Sequence, residues 1–196
     1  MVTVQKSVLR KEAQRTRDRL TPAPDCIERA SALFFQHINP TPDQIVSAYW
    51  PRNSEFDTTF VLKQLLKQGI TCALPVTEKG QRIIKFAQWD ESTKLISTAF
   101  DIMEPVTDAS TQWVDPDIVI APLLSFDHHG FRLGYGGGSY DMTLEQLRKR
   151  KSALVVGWAY AEQACPFNLP HEAHDIPCDW VITPQEAHHY PQKKGL

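Results

Sequence analysis

Four stretches of this chain carry residue types suited to binding a phosphate, a metal ion beside it, or a polar heterocycle. They are Arg132-Leu133-Gly134-Tyr135-Gly136-Gly137-Gly138-Ser139-Tyr140-Asp141, the pair Lys6 and Arg10, the acid Glu55, and His174-Asp175-Ile176-Pro177-Cys178-Asp179. Five of the nine glycines fall between Gly130 and Gly138. Glycine reaches positive φ without steric cost and lets the backbone approach a ligand, so such a run exposes amide N–H groups to an anion. The stretch Ile118 to Leu124 before it is apolar and β-branched like a buried strand, and Asp141 to Arg150 after it patterns as a helix. That order puts the amides of Gly136 to Ser139 near a helix N-terminus, where the dipole and the unpaired donors favour phosphate. Arg132 adds a fork-shaped cation. The spacing lacks the Lys-Ser/Thr of Walker A and does not fit the dinucleotide fingerprint. On local sequence a glycine-rich hairpin without ligand stays open as the alternative.

Lys6 and Arg10 lie four apart, so on a helix they project from one face toward successive phosphates, with Arg17 following a turn or two later. The alternative is a solvated basic face. Asp141 suits either a magnesium ion, which takes one or two carboxylates plus phosphate oxygens, or a helix N-cap. Asp179, just before the last expected strand, is placed to join Asp141 at that metal, while Asp175 caps or orients a turn. Glu55, just past a strand end, suits a hydrogen bond to a polar heterocycle, or is a surface turn acid. His171, His174 and Cys178 lack a zinc spacing, and neither Ser125 nor Ser139 has a nucleophile-elbow frame.

The elements that must position these groups alternate. Helices are expected over about Thr3 to Leu20, Asp25 to Ile38, the run Phe60 to Leu66 ending at Gly69, and Asp141 to Arg150. Strands are expected over Ile45 to Trp50, Ile70 to Leu74, Arg82 to Ala87, Ile118 to Leu124, Ala153 to Trp158 and Trp180 to Ile182, with an irregular stretch from Asp90 to Trp113. This alternation predicts a single α/β domain, residues 1–196, with a mostly parallel sheet covered on both faces and ligands at the carboxyl ends of its strands. Length and a hydrophobic fraction of 42% allow a full core. The net charge of −2 gives no global field for nucleic acid or anionic membrane, so an anion site must be local. Four scattered cysteines, no apolar leader and no span of roughly 20 apolar residues predict a cytoplasmic protein.

Together these residues resemble the 5-formyltetrahydrofolate cyclo-ligase (methenyltetrahydrofolate synthetase) family over nearly the whole chain. The marks are Lys6-x-x-Leu9-Arg10, Pro51 with Glu55 and Asp57, Leu74-Pro75, Glu104-Pro105, the block from Pro122 to Asp141, and the closing His174-Asp175 and Asp179. The resemblance implies a Rossmann-like sheet of the sugar-phosphate isomerase/CoA transferase type. It also implies a C–N bond-forming ligase of one-carbon metabolism, in which ATP and Mg2+ drive closure of 5-formyltetrahydrofolate to 5,10-methenyltetrahydrofolate. ATP would phosphorylate the formyl oxygen, N10 would attack, and phosphate would leave. Lys6, Arg10 and Arg132 would bind ATP with Leu133, Gly134, Tyr135, Gly136, Gly137, Gly138, Ser139 and Tyr140. Lys6, Arg10, Arg132 and Tyr140 would act in catalysis. Glu55, Phe100 and Tyr140 would hold the folate, and Asp141 and Asp179 the magnesium. The implied partner is a reduced folate, and the implied assembly a monomer or weak homodimer. The family usually reads Gly-Tyr-Tyr-Asp-Arg where this chain has Gly138-Ser139-Tyr140-Asp141-Met142. A second reading is therefore a paralogue that binds nucleotide or folate without this turnover.

Overall fold

The computed structural model describes residues 2–78, 80–98 and 101–191. Helix α1, Val2–Asp18, ends with Arg15 and Arg17 in its last turn, where cations complement the helix dipole. Helix α2, Cys26–His37, buries Cys26, Ala30 and Phe34, a stripe at the four-residue helical repeat. Strand β1, Ile45–Ser47, leads to α3, Thr59–Lys67, which buries Val61, Leu62 and Leu65. Strands β2, Thr71–Val76, and β3, Lys85–Trp89, form an antiparallel pair. Then come β4, Leu95–Ser97, β5, Met103–Pro105, β6, Trp113–Val114, β7, Ile118–Ala121, β8, Ser125–Phe126, and β9, Arg132–Leu133. Helix α4, Ser139–Arg150, is followed by β10, Leu154–Trp158, β11, Trp180–Ile182, and β12, Ala187–His189.

The main sheet has eight strands in the order β12-β11-β10-β7-β1-β2-β3-β6. The inner five, β11 to β2, are parallel, and the antiparallel strands sit at the edges. Side chains alternate across it as the pleat requires. Ile118 and Ile120 pack with α2 and α3 on one face, while Val119 and Ala121 pack with Leu144 and Leu147 of α4 on the other. Trp158 centres the first face: it stacks on Phe56, meets Phe34 edge-on, and donates its indole N–H to the Asp57 carbonyl at 2.9 Å. The mostly parallel, doubly covered α/β sheet is thus the one the alternation predicts.

Three details differ from the sequence expectation. The first strand stops at Ser47, because the chain turns there to tie Tyr49 Oη to the Phe56 carbonyl at 2.6 Å and Thr58 Oγ1 to the Tyr49 carbonyl. The stretch from Asp90 to Trp113 contains a β4–β5 hairpin and edge strand β6. Glu104 is buried there and accepts from Thr77 N and Oγ1 at the end of β2. Finally, a β8–β9 hairpin separates β7 from the glycine run. Its turn is organised by buried Asp127, whose Oδ1 accepts from His129 N and Phe131 N and whose Oδ2 accepts from Leu169 N.

In the parallel core the chain steps one way from β1 to β2 and the other way from β7 to β10. The carboxyl ends of β1 and β7 therefore flank a switch point, the crevice where such sheets bind ligands.

Candidate functional site

Three cations of α1 reach across this crevice. Arg17, 3% exposed, donates from Nη1 to Tyr135 Oη at 2.8 Å and to the Leu123 carbonyl at 3.4 Å, and from Nε to Ser54 Oγ at 3.1 Å. Two turns before it, Arg10 Nε donates to the Gly134 carbonyl at 2.8 Å, and its guanidinium lies against Gly136. Lys6, 8% exposed, bonds through Nζ to Asp175 Oδ2 and to Glu172 Oε2 at 3.3 Å. Burial works to raise the Asp175 carboxyl, but the Lys6 ammonium and the Glu172 amide outweigh it and hold it below the ordinary range.

The glycine run forms the opposite wall. Gly136 and Gly138 have φ of 103° and 68°, and Gly138 caps α4 with no side-chain hydrogen bond. Among the described residues, the amides of Gly136 to Asp141 donate to no protein acceptor. A row of open N–H groups at a helix start fits a polyphosphate. A Cβ at position 136 would lie 3.1 Å from Arg10 Cζ at a φ of 103° that side chains rarely adopt, so glycine suits a backbone against which the cation lies. Leu133, buried in β9, contributes by posture: its carbonyl accepts the Leu124 amide at 2.8 Å, which fixes where the run begins. Ser139 starts α4, and its carbonyl accepts Thr143 Oγ1 at 2.6 Å.

Arg132 sits beneath the run with its side chain 4% exposed. Its Nη2 donates to Asp141 Oδ1 at 2.6 Å and its Nη1 to the Ile176 carbonyl. Ile176 N closes the ring by donating to the same Asp141 oxygen at 3.1 Å. Asp141 Oδ2 and Asp175 Oδ1 carry no hydrogen bond from a described residue.

Asp179 lies apart from this ring. Its Oδ2 accepts from Arg148 Nη2 and from Val155 N, both at 2.7 Å, at the amino edge of the sheet. Arg148 belongs to the last turn of α4 and Asp141 to its first, so the two acids mark opposite ends of that helix and do not meet at one ion. Asp175, adjacent in sequence to the Ile176 amide that Asp141 binds, is the acid brought near instead. Phe100 lies outside the described residues.

At the β1 side of the crevice, Glu55 is 9% exposed and accepts from Tyr135 Oη and from Arg52 N at 3.0 Å. Burial, then the neighbouring Glu55 charge, pushes the Tyr135 hydroxyl well above its ordinary value. It therefore stays a phenol, accepting from Arg17 while donating to Glu55. The Tyr140 hydroxyl is raised for the same two reasons. Its ring joins the cluster on the α4 face to that around Ala73 and Phe86, and its hydroxyl donates to no described residue. The structure thus gathers Lys6, Arg10, Arg132, Glu55, Tyr140, Asp141 and the glycine run around one crevice.

Sequence reasoning did not assign Arg17, Tyr135 Oη or the acids that hold Lys6. Arg17 carried a signal, since it lies seven residues from Arg10, two helical turns on the same face. Replacing Tyr135 by Phe removes one hydroxyl and leaves both Arg17 and Glu55 short of a partner. The expected loss is about 1–2 kcal/mol in a urea melt; an unchanged midpoint would show that water serves both groups equally well.

Residues 2–184 match the sequence profile of the 5-formyltetrahydrofolate cyclo-ligase family. A 5-formyltetrahydrofolate cyclo-ligase of Escherichia coli (strain K12) is 34% identical over 147 residues, 72% of this chain and 79% of that protein. Its counterpart in Haemophilus influenzae is 34% identical over 137 residues, 67% of this chain and 71% of that protein. The solution structure of a 5,10-methenyltetrahydrofolate synthetase from Aquifex aeolicus superposes with a TM-score of 0.77 at 30% identity, covering 97% of this chain and 95% of that one. With the profile spanning both walls of the crevice, the chain belongs to the 5-formyltetrahydrofolate cyclo-ligase family.

Proposed function

We propose that this protein closes 5-formyltetrahydrofolate to 5,10-methenyltetrahydrofolate at the expense of ATP, releasing ADP and phosphate. The observation that carries the reading is the row of open amides from Gly136 to Asp141, facing the α1 cations and lying beside the Tyr135–Glu55 pair. A polyphosphate and a polar heterocycle fit side by side there.

The chemistry follows from charge and distance. A formamide oxygen is a poor leaving group, so it attacks the terminal phosphorus and displaces ADP. N10 of the same folate then attacks the activated carbon and gives up its proton to the departing phosphate, the C–O bond breaks, and phosphate leaves with the oxygen. Ring closure is intramolecular and gains from proximity. The protein's contribution is positioning and neutralisation. The open amides hold phosphate oxygens, Lys6 and Arg10 offset charge on the α1 side, and Arg132 keeps Asp141 aligned. Glu55 accepts a hydrogen bond from the heterocycle, exchanging it for that of Tyr135. Tyr140, at the junction of the two ligands, contributes an aromatic wall. Magnesium, when bound, would neutralise phosphate charge. The free oxygens of Asp141 and Asp175 suit it, because a small hard cation takes one or two carboxylates plus phosphate and water.

Purified protein given 5-formyltetrahydrofolate and MgATP is expected to show rising methenyl absorbance, one ADP per turnover, and none without ATP or magnesium. Absence of an ATP-dependent rise, with a control enzyme active in the same mixture, refutes the reading. Ser139 and Met142 motivate the second reading, binding without turnover. Met142 stands 37% exposed in the first turn of α4 where the family carries a cation. Calorimetric binding of ATP or folate without turnover would establish it.

A further inference from the structure

We propose that the hydroxyl of Ser47 is a positioning group for Tyr140, accepting a hydrogen bond from the Tyr140 phenol once a folate fills the crevice. This rests on the folate reading above. Among the described residues, two buried side-chain polar atoms have no hydrogen-bond partner, Ser31 Oγ and Ser47 Oγ. Ser31 belongs to α2, which covers the face of the sheet away from α4. Ser47 is the last residue of β1, at the switch point itself, and is 1% exposed.

The strand register fixes the face on which Ser47 lies. It pairs with Ala73 of β2 and with Val119 of β7. Partners in a parallel register share a face, and Val119 packs among the residues covered by α4. Ala73 belongs to the neighbouring cluster with Ile84 and Phe86, and the Tyr140 ring packs against both clusters. Ser47 therefore stands between the two patches that Tyr140 spans. Alanine would fill this place in the strand, as Ala73 and Ala121 do on the same face. A buried hydroxyl without a partner opposes folding, so the serine is explained by a partner that arrives later.

Tyr140 is short of a partner as well. It is half-buried, and its hydroxyl bonds no described residue. Burial, then the Glu55 charge, raises this phenol, so it keeps its proton and remains a donor. That the Glu55 charge reaches it places the hydroxyl toward the β1 side of the crevice, where Ser47 ends its strand. Before a folate arrives, water serves the phenol. A heterocycle packed on the ring removes that water, and a polar group stripped of water needs a new partner. Ser47 Oγ offers the spare acceptor, and a bond between the two hydroxyls fixes the ring against the substrate.

The test is a double-mutant cycle with Ser47→Ala, Tyr140→Phe and the pair, read as affinity for 5-formyltetrahydrofolate by calorimetry. Ser47→Ala is expected to weaken folate binding about fivefold, the worth of one neutral hydrogen bond, and to leave the affinity for ATP unchanged. Its urea midpoint should equal or exceed that of the wild type, whereas loss of a merely structural hydroxyl would lower it. In the Tyr140→Phe background the same change is expected to leave folate affinity as it is. Unchanged folate affinity in Ser47→Ala overturns the proposal. So does a loss that persists in Tyr140→Phe, which would give the hydroxyl to the substrate directly, and so does a lowered midpoint, which would reveal a partner in the resting fold. A wild type that binds folate without turnover refutes the proposed reaction while the cycle still decides Ser47, and one that binds no folate overturns both.

Discussion

Asp141→Ala is expected to remove turnover and to destabilise the protein together, whereas Asp141→Asn should restore much of the stability without the activity. The carboxylate anchors a guanidinium whose side chain is 4% exposed and also receives the Ile176 amide. Removing one partner of a buried pair costs about 3 kcal/mol, mostly because the remaining charge is left uncompensated. Asparagine keeps an oxygen for the Ile176 amide and for Arg132, so the fold recovers in part. On the proposed role of Asp141 beside magnesium and phosphate, it lacks the negative charge that role requires, so the rate is expected to stay about 100-fold or more below wild type. Urea melts combined with the absorbance assay separate the two effects. Wild-type activity in Asp141→Asn would remove the metal role, and wild-type stability in Asp141→Ala would remove the structural one.

Gly130→Ala should be the most damaging single-methyl change near the site. Its φ is 82°, where a side chain costs about 1 kcal/mol or more. The added Cβ would also sit 2.8 Å from both the Cys178 carbonyl oxygen and Tyr190 Cγ, and 2.9 Å from Tyr190 Cδ2. Backbone lies on one side and a ring on the other, so neither yields cheaply, and overpacking adds about 1–3 kcal/mol. The expected total is about 3 kcal/mol in a urea melt. Activity should fall as well, because the Cys178 amide donates to the Gly130 carbonyl at 2.8 Å and the same segment presents the Ile176 carbonyl to Arg132. A loss below about 0.5 kcal/mol would mean that the 176–178 segment adapts freely.

The sequence was most legible where one physical rule acted alone. Helical periodicity placed α2 and α3 to within a few residues, and β-branched runs placed β7, β10 and β11. It was least legible where tertiary partners overrode local pattern. Trp50 continues an apolar run, yet the strand ends at Ser47 because Tyr49 and Thr58 tie the following loop shut. The β8–β9 hairpin depends on Asp127 gathering three backbone amides, one of them from Leu169, far along the chain. In the crevice, spacing on α1 marked Lys6 and Arg10 as sharing a face, and clustered glycines marked the run whose amides stay open. The choice between Asp175 and Asp179 was not readable. Both stand beside the last strand in sequence, and only the direction of the chain between them sends one to the crevice and the other to the amino edge.

The contact between Lys6 and Asp175 spans 169 positions of sequence. During synthesis, α1 emerges long before the acids that hold Lys6, although Arg10 and Arg17 find their partners within residues 54–135. The sheet can take shape in the meantime, since its parallel core from β2 to β10 closes within residues 45–158. The Lys6 corner of the crevice can close only once the 172–176 segment has been made. A growing polypeptide of this protein can thus form its sheet before it can complete its crevice.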